Sequence, residues 1–395
     1  MFKKNGAFES NETNTVNIKC SLDIPVSKEE LLNRYFGHSR FIYNYCVNYN
    51  KELYKNEKRS LSYVELQNLL PELKKDEETS FLKEVDSTSL QQAIQDYCIT
   101  MKNFIKKKGG YPSFRNKHRN QTVRIVNVKQ KNTNNNSIRM DGNKIKLGKF
   151  GWVKAKPNQK IPEGEIQSVT IKRTKSGKIY ATLTIRRLEP IQKFEKTGKE
   201  VGIDIGISNF ATFSDGTVIN KPDFIRKDEK KKKRLYRQLS RKKEGSKNRN
   251  KAREKLAKFC EKDANRRSDF THKLSLDIVR NYDFIAVEHL NIKKMLMDSS
   301  SAYSKQLHKE IGELGWYSFI SKIEYKSKWY GKNFVKVDTY YPSSQICSHC
   351  GYKNTDVKNL SVRNWICPEC NTNHNRDYNA SVNILNEGKK TLASV

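Results

Sequence analysis

The sequence predicts a multidomain chain that combines α+β and α/β parts, and three observations carry that expectation. Apolar residues recur at three- and four-residue spacing over residues 27–108, the pattern of amphipathic helices. Residues 113–190 instead alternate apolar and polar in short pieces broken by Gly and Pro, which reads as a small antiparallel sheet or barrel. Beyond residue 198, two short apolar runs that carry acidic residues are separated by a long basic stretch, the pattern of buried strands alternating with helices.

Taken in order, residues 1–28 are of mixed polarity, with a strand expected over 16–24. The helical segment 29–110 begins with Leu31, Leu32, Tyr35, Phe36, Phe41, Ile42, Tyr45 and Cys46 on one face. A second helix is expected over 88–107, facing inward through Leu90, Ile94, Tyr97, Cys98, Met101 and Ile105. It stops at Lys106-Lys107-Lys108-Gly109-Gly110. Within 111–190 the strand candidates are 123–128, 145–147, 169–171 and 180–185. Charge then peaks between 226 and 267, with five consecutive cations at 230–234. Leu235, Leu239, Leu256 and Phe259 supply a sparse apolar edge, so long basic helices joined by a turn are expected. A solvated helix face ordinarily mixes both signs; here cations dominate, which favours a phosphate-contacting surface.

The 395 residues include 77 Lys and Arg against 43 Asp and Glu, a net charge of +34. Self-repulsion on that scale is relieved by a polyanion, so nucleic acid is the leading partner. No run of about 18 apolar residues exists, which argues against a membrane span. Met1-Phe-Lys-Lys-Asn-Gly has no apolar core behind its cations, which argues against a signal peptide. A cytoplasmic, nucleoid-associated prokaryotic protein is the expectation.

Cys20, Cys46, Cys98 and Cys260 are scattered and read as free thiols. The other four read Cys347-Ser-His-Cys350, sixteen residues, then Cys367-Pro-Glu-Cys370. Each pair can present two thiolates from one tight turn, and two such turns complete a tetrahedral zinc shell with Zn–S distances of about 2.3 Å. Four cysteines leave no open position, so the expected Zn²⁺ is structural, holding a ribbon too small for its own core. His349 and His374 then read as surface or phosphate-facing side chains.

Three acidic residues stand out against the apolar runs. Val201, Ile203, Ile205 and Ile207 form one face of an expected strand, and Gly202, Asp204 and Gly206 form the other, open to close approach. Phe284 to Val287 is a second apolar strand with Glu288 at its carboxyl end, where α/β sheets carry their chemistry. Asp283 precedes that strand and is discounted. Asp377 opens a C-terminal helix, where an ordinary N-cap is the plain alternative. Together the three can converge on two Mg²⁺ or Mn²⁺ ions roughly 4 Å apart, one activating water and one stabilising the leaving 3′ oxygen of a phosphodiester.

This order of motifs resembles the TnpB (OrfB) family of transposon-encoded proteins, compact relatives of type V CRISPR effectors: Gly-Ile-Asp204-Ile-Gly, Ile-Ala-Val-Glu288-His-Leu, the paired CxxC ribbon, then Asn375-Arg-Asp377-Tyr-Asn-Ala-Ser. The final motif often begins with Asp, where this chain has Asn375. The resemblance implies a split RuvC-like (RNase H-fold) nuclease domain with an inserted zinc ribbon, preceded by a β-barrel wedge domain and a helical recognition domain. The implied ranges are 1–28 and 111–190 for the wedge, 29–110 for recognition, 198–340 and 376–395 for the nuclease, and 341–375 for the ribbon. It also implies a guide RNA, double-stranded target DNA beside a short adjacent motif, and cleavage of both strands by Asp204, Glu288 and Asp377. No protein partner is required. Candidate nucleic-acid contacts are Arg376, Lys232, Lys233, Arg234, Arg237 and Arg241, with Gln91 and Gln92 as polar candidates. The rival readings are a miniature type V effector, a nuclease-inactive guided DNA-binding regulator and, least favoured, a true transposase.

Overall fold

The structure, a computed structural model, describes residues 14–119, 121–129, 136–290, 308, 310–359 and 361–393. The N-terminal hexapeptide, the rest of 1–13 in the first expected segment, and 291–307 of the expected nuclease segment lie outside the described residues. The chain divides into two compact units, Met1–Pro190 and Ile191–Val395.

In the first unit, β1 (Thr15–Asp23) turns Val16, Ile18, Cys20 and Leu22 inward and alternate residues outward, the period of a half-buried strand. Helices α1 (Val26–Glu57), α2 (Tyr63–Lys75) and α3 (Ser87–Ile105) follow. Then come β2 (Thr122–Val126), β3 (Ile138–Asp141), β4 (Lys144–Leu147), β5 (Gly151–Pro157), β6 (Gly164–Arg173) and β7 (Ile179–Arg187). All seven strands form one antiparallel sheet in the order β2-β6-β7-β1-β5-β4-β3. β1 thus sits inside a sheet whose other strands lie beyond the helices, with Leu22 opposite Ile179 on one side and Ala155 on the other.

Helix α1 buries Leu32, Tyr35 and Phe36, and α3 buries Leu90, Ile94 and Tyr97 against it. The apolar face of α3 ends early, because Ile105 is 72% exposed. Helix α2 starts at a capping box, Ser62 with Glu65, a local signal inside what periodicity alone reads as one helical stretch. β3 and β5 escape the sequence pattern because they are short or polar. β5 turns only Val153 and Ala155 inward and carries Trp152, Lys154 and Lys156 outward.

The second unit is a three-layer α/β/α arrangement around a five-stranded sheet. Its strands are β8 (Glu200–Asp204), β9 (Ala211–Phe213), β10 (Val218–Ile219), β11 (Phe284–Glu288) and β12 (Asn333–Val337), ordered β10-β9-β8-β11-β12. β8, β11 and β12 run parallel, while β9 pairs antiparallel with both β8 and β10. The basic helices α4 (Asp223–Ser240) and α5 (Lys247–Asn281) connect β10 to β11. Helix α6 (Trp316–Tyr330) precedes β12, and α7 (Arg376–Ala393) closes the unit.

Strand alternation decides the two faces. Val201, Ile203, Ile285 and Val287 pack with Ile278 and Val279 of α5 and Phe319 and Ile323 of α6. Phe284, Ala286, Val335 and Val337 pack on the opposite side with Ile384 of α7. Gly202 belongs to that second face, and its missing side chain is used by the chain itself: a Cβ there would stand 2.1 Å from the Ser381 carbonyl oxygen of α7. The close approach read from the sequence at Gly202 is therefore made by a helix. The strand expected over 201–207 also ends at Asp204, where the backbone leaves the sheet.

Candidate functional site

Because side chains alternate, the α7 face receives Gly202 then Asp204 from β8, and Ala286 then Glu288 from β11. The two strands are parallel, with Gly202 beside Ala286 and Ile203 beside Val287, so the next step along both places Asp204 beside Glu288. Both carboxylates stand at the carboxyl ends of their strands, where an open α/β sheet forms its crevice. The first turn of α7 brings Asp377 to the same place. Asp204, Glu288 and Asp377 line one cavity of about 710 Å³ together with Arg363, Arg376 and Trp316.

Asp377 is not the N-cap of its helix. Asn375 takes that role, its Oδ1 accepting from the Tyr378 amide at 3.1 Å, which leaves the Asp377 carboxylate free to face the cavity. An amide caps as well as a carboxylate, so Asn at the first position of the final motif costs nothing locally. Arg363 reaches in from the segment between Cys350 and Cys367, with Nη1 3.3 Å from Asp377 Oδ1 and Nη2 3.0 Å from Ser208 Oγ. Arg376 is only 9% exposed, and its Nη1 donates to the Asn359 carbonyl at 2.8 Å. It is a cavity-lining cation rather than a surface one.

Burial, reinforced by the charges of Glu288 and Asp377, pushes the Asp204 carboxyl up to about 8, while Arg376 and Arg363 oppose that rise. Burial also pushes Glu288 up to about 7. Carboxylates crowded into low dielectric hold protons unless a cation neutralises them. An all-oxygen donor set of this kind fits a hard divalent ion such as Mg²⁺ or Mn²⁺. Asp283, by contrast, is consumed structurally: it pairs with Lys332 and accepts from the Thr197 and Gly198 amides.

The second cluster is sulfur. The Sγ atoms of Cys347, Cys350, Cys367 and Cys370 all lie within 4.8 Å of one another. The Cys347–Cys370 and Cys350–Cys367 separations are both 3.6 Å. A tetrahedron with Zn–S bonds of about 2.3 Å has edges of about 3.8 Å, close to these two separations, so the donor set fits zinc in kind and in size. Cys347, Val357, Trp365 and Cys367 are buried together, a small core that composition alone does not reveal. His374 is also buried, at 5% exposure, rather than at the surface; its Nε2 lies 2.9 Å from Cys347 Sγ and its ring tilts against Trp365.

The remaining candidates fall on helix surfaces. Lys233, Arg234, Arg237 and Arg241 line one groove on α4 with Lys230. Lys233 also pairs with Glu229 at 3.0 Å. Lys232 faces the other way, half-buried with Glu313 at 3.7 Å. Gln91 and Gln92 lie half-buried on α3 and join none of these clusters. Sequence reasoning missed Arg363, Asn379 and Asn383. The asparagines had a signal, a four-residue spacing on one face of α7, but their partners are backbone atoms of Ser343, Ile346 and Ser348. Among the described residues no helix is long and apolar enough to cross a membrane.

Residues 182–298 match a family profile described as "Probable transposase" (OrfB_IS605), and residues 316–384 match "Cas12f1-like, TNB domain". Residues 26–59 match a "Helix-turn-helix domain", although here Val26–Glu57 is the single helix α1. A "Putative RNA-guided DNA endonuclease" of Streptomyces pristinaespiralis is 33% identical over 90% of this chain and 85% of its own length. The Escherichia coli K12 "Putative RNA-guided DNA endonuclease InsQ" is 29% identical over 92% and 89%. The fold is similar to the protein in a cryo-EM structure of a Cas12f1-sgRNA-target DNA complex, with a TM-score of 0.59 over 91% of this chain and 83% of that one, at 16% identity.

Proposed function

The chain belongs to the TnpB (OrfB) family, and from that premise we propose that it is an RNA-guided DNA endonuclease whose catalytic residues are Asp204, Glu288 and Asp377. The observation that carries this reading is the meeting of those three carboxylates in one cavity at the carboxyl ends of two parallel strands. On this reading, 198–340 and 376–395 form a split RuvC-like (RNase H-fold) nuclease domain with the zinc ribbon, 341–375, inserted. Residues 1–28 and 111–190 form the wedge barrel, and 29–110 the recognition domain.

Two Mg²⁺ ions bound by the carboxylates would supply an activated water and charge neutralisation at the leaving 3′ oxygen. The chain's own contribution is positioning and field. Arg376 and Arg363 draw the scissile phosphate toward the carboxylates by charge-assisted hydrogen bonds. Ile205, Ile207, Leu290 and Trp316 form apolar wall around them, lowering the local dielectric in which those contacts act. Lys233, Arg234, Arg237 and Arg241 hold phosphates along α4, while base pairing with a transposon-derived guide RNA reads the target. One site cuts both strands in turn, beside a short adjacent DNA motif.

The test is to purify the full chain, sequence the RNA that co-purifies, and present a plasmid library matching that RNA. Cleavage should need the RNA, Mg²⁺ and a flanking motif. RNA-independent cleavage, or target binding with no cleavage by the intact triad, would overturn the reading.

A further inference from the structure

Two hydrogen-bond systems connect the four-cysteine cluster to the helix that presents Asp377. The first is His374. It lies in β14 (Asn373–Asn375), paired opposite Trp365 of β13 (Asn364–Ile366), with its Nε2 2.9 Å from Cys347 Sγ. β14 passes into α7 without a loop, so Asp377 follows His374 by three residues. The second system lies beyond Asp377 on the same helix. Asn379 and Asn383 are buried at 0% and 3%, and both donate through Nδ2 to the Ile346 carbonyl. Asn379 Oδ1 accepts from the Ser348 amide at 2.9 Å, and Asn383 also donates to the Ser343 carbonyl.

Ile346 and Ser348 flank Cys347, and residues 374, 379 and 383 flank Asp377. One metal-ligand turn is therefore gripped from both sides of a carboxylate in the neighbouring cavity. A metal-bound thiolate is an acceptor without a proton, so the imidazole facing it donates N–H, as outer-sphere partners of metal ligands do. Buried amides that satisfy specific carbonyls are stiff, because leaving either group unpaired costs a desolvation penalty.

We propose that His374 is a positioning residue that fixes Asp377 relative to the ribbon metal, so that zinc in the four-cysteine cluster governs divalent-metal affinity in the carboxylate cavity. This rests on the nuclease reading above.

The experiment measures Mn²⁺ binding to the full-length chain by the electron paramagnetic resonance of the free ion, in zinc-loaded, zinc-stripped and zinc-restored protein. Stripping should weaken Mn²⁺ binding about tenfold, the lower end of the effect of outer-sphere partners, and restoring zinc should recover it. His374→Ala, with its zinc content verified by elemental analysis, should bind Mn²⁺ as weakly as stripped protein. His374→Gln keeps an N–H donor and should recover most of the affinity, which a purely packing role for the ring would not allow. Equal Mn²⁺ affinity with and without zinc, or a His374→Ala protein that binds as the parent does, overturns the proposal. Asp377→Asn separates the two levels. If it still binds Mn²⁺ and cleaves, the carboxylate assignment fails; if it loses both while zinc has no influence, only the coupling fails.

Discussion

Cys347, Cys350, Cys367 and Cys370 come from one short stretch and face each other across two tight turns, whereas Asp204, Glu288 and Asp377 come from β8, β11 and α7 and meet only when the sheet and its last helix assemble. The sulfur cluster is local, and its chemistry is fixed by spacing. The carboxylate cluster is global, and its chemistry depends on strand register, on a glycine that admits α7, and on an asparagine that takes the cap. Two side-chain clusters in one unit thus differ in what would break them. The first fails when a ligand is lost. The second fails when any of the packing that brings its ligands together is disturbed.

The largest effect should come from removing a carboxylate. Asp204→Ala should lower guided plasmid cleavage by about 10³-fold or more, equivalent to about 4 kcal/mol of barrier, while gel-shift binding of target stays intact. Cleavage that survives would remove Asp204 from the site. Next is ligand loss in the sulfur cluster. Cys367→Ser should abolish stoichiometric zinc and expose 345–375 to limited proteolysis, since a small ribbon draws much of its folding energy from its metal. An undiminished zinc content would mean the cluster is not the binding site.

Gly202→Ala sharpens the contrast without touching a ligand. Its Cβ would meet Ser381 O at 2.1 Å and Leu385 N at 2.6 Å, both backbone atoms. We expect a loss of about 2–3 kcal/mol, roughly 5–10 °C in melting temperature by calorimetry, accompanied by loss of cleavage. A stable, active Gly202→Ala protein would show that α7 need not approach so closely.

The carboxylates also give a pH signature. In metal-free protein Asp204 holds its proton to about 8 and Glu288 to about 7, well above their ordinary range near 4. The folded state therefore binds more protons across that window. Its extra stability is full below about pH 4 and is lost as pH rises through 7–8. The melting temperature of metal-free protein should fall over that interval, and Asp204→Asn should flatten the fall. Mg²⁺ should offset it at the alkaline end. A melting temperature that rises with pH there would contradict the burial of these groups. The smallest effect belongs to the exposed cations. Arg237→Ala should reduce the salt slope of log K by about one and leave sequence preference unchanged.

Legibility followed the same division. The cysteine pairs, the apolar periodicity of α1 and α3, and the strand ending in Glu288 stand out in the sequence because each is a local pattern of spacing or alternation. β3 and β5 do not, because a short or polar strand is stabilised by its neighbours more than by its own residues. The burial of His374 and Arg376 was not visible, since each adjoins charged or polar sequence and is enclosed by segments far from it. Arg363 gave no signal at all. Nothing local distinguishes it from the chain's many exposed cations until the fold places it beside Asp377.

Residue type and spacing alone set out the candidate groups: four cysteines in two CxxC pairs, three carboxylates at strand ends and a helix start, and a +34 charge that favours a polyanion. How these parts are joined is settled by folding. It gave Asn375 the cap and freed Asp377, spent the space at Gly202 on a helix, and set His374 and the two asparagines between the sulfur cluster and the carboxylate cavity. The reason is physical. Residue type and spacing fix what a group can bind, but burial and hydrogen-bond partners come from segments distant in the chain, and these decide where each group points.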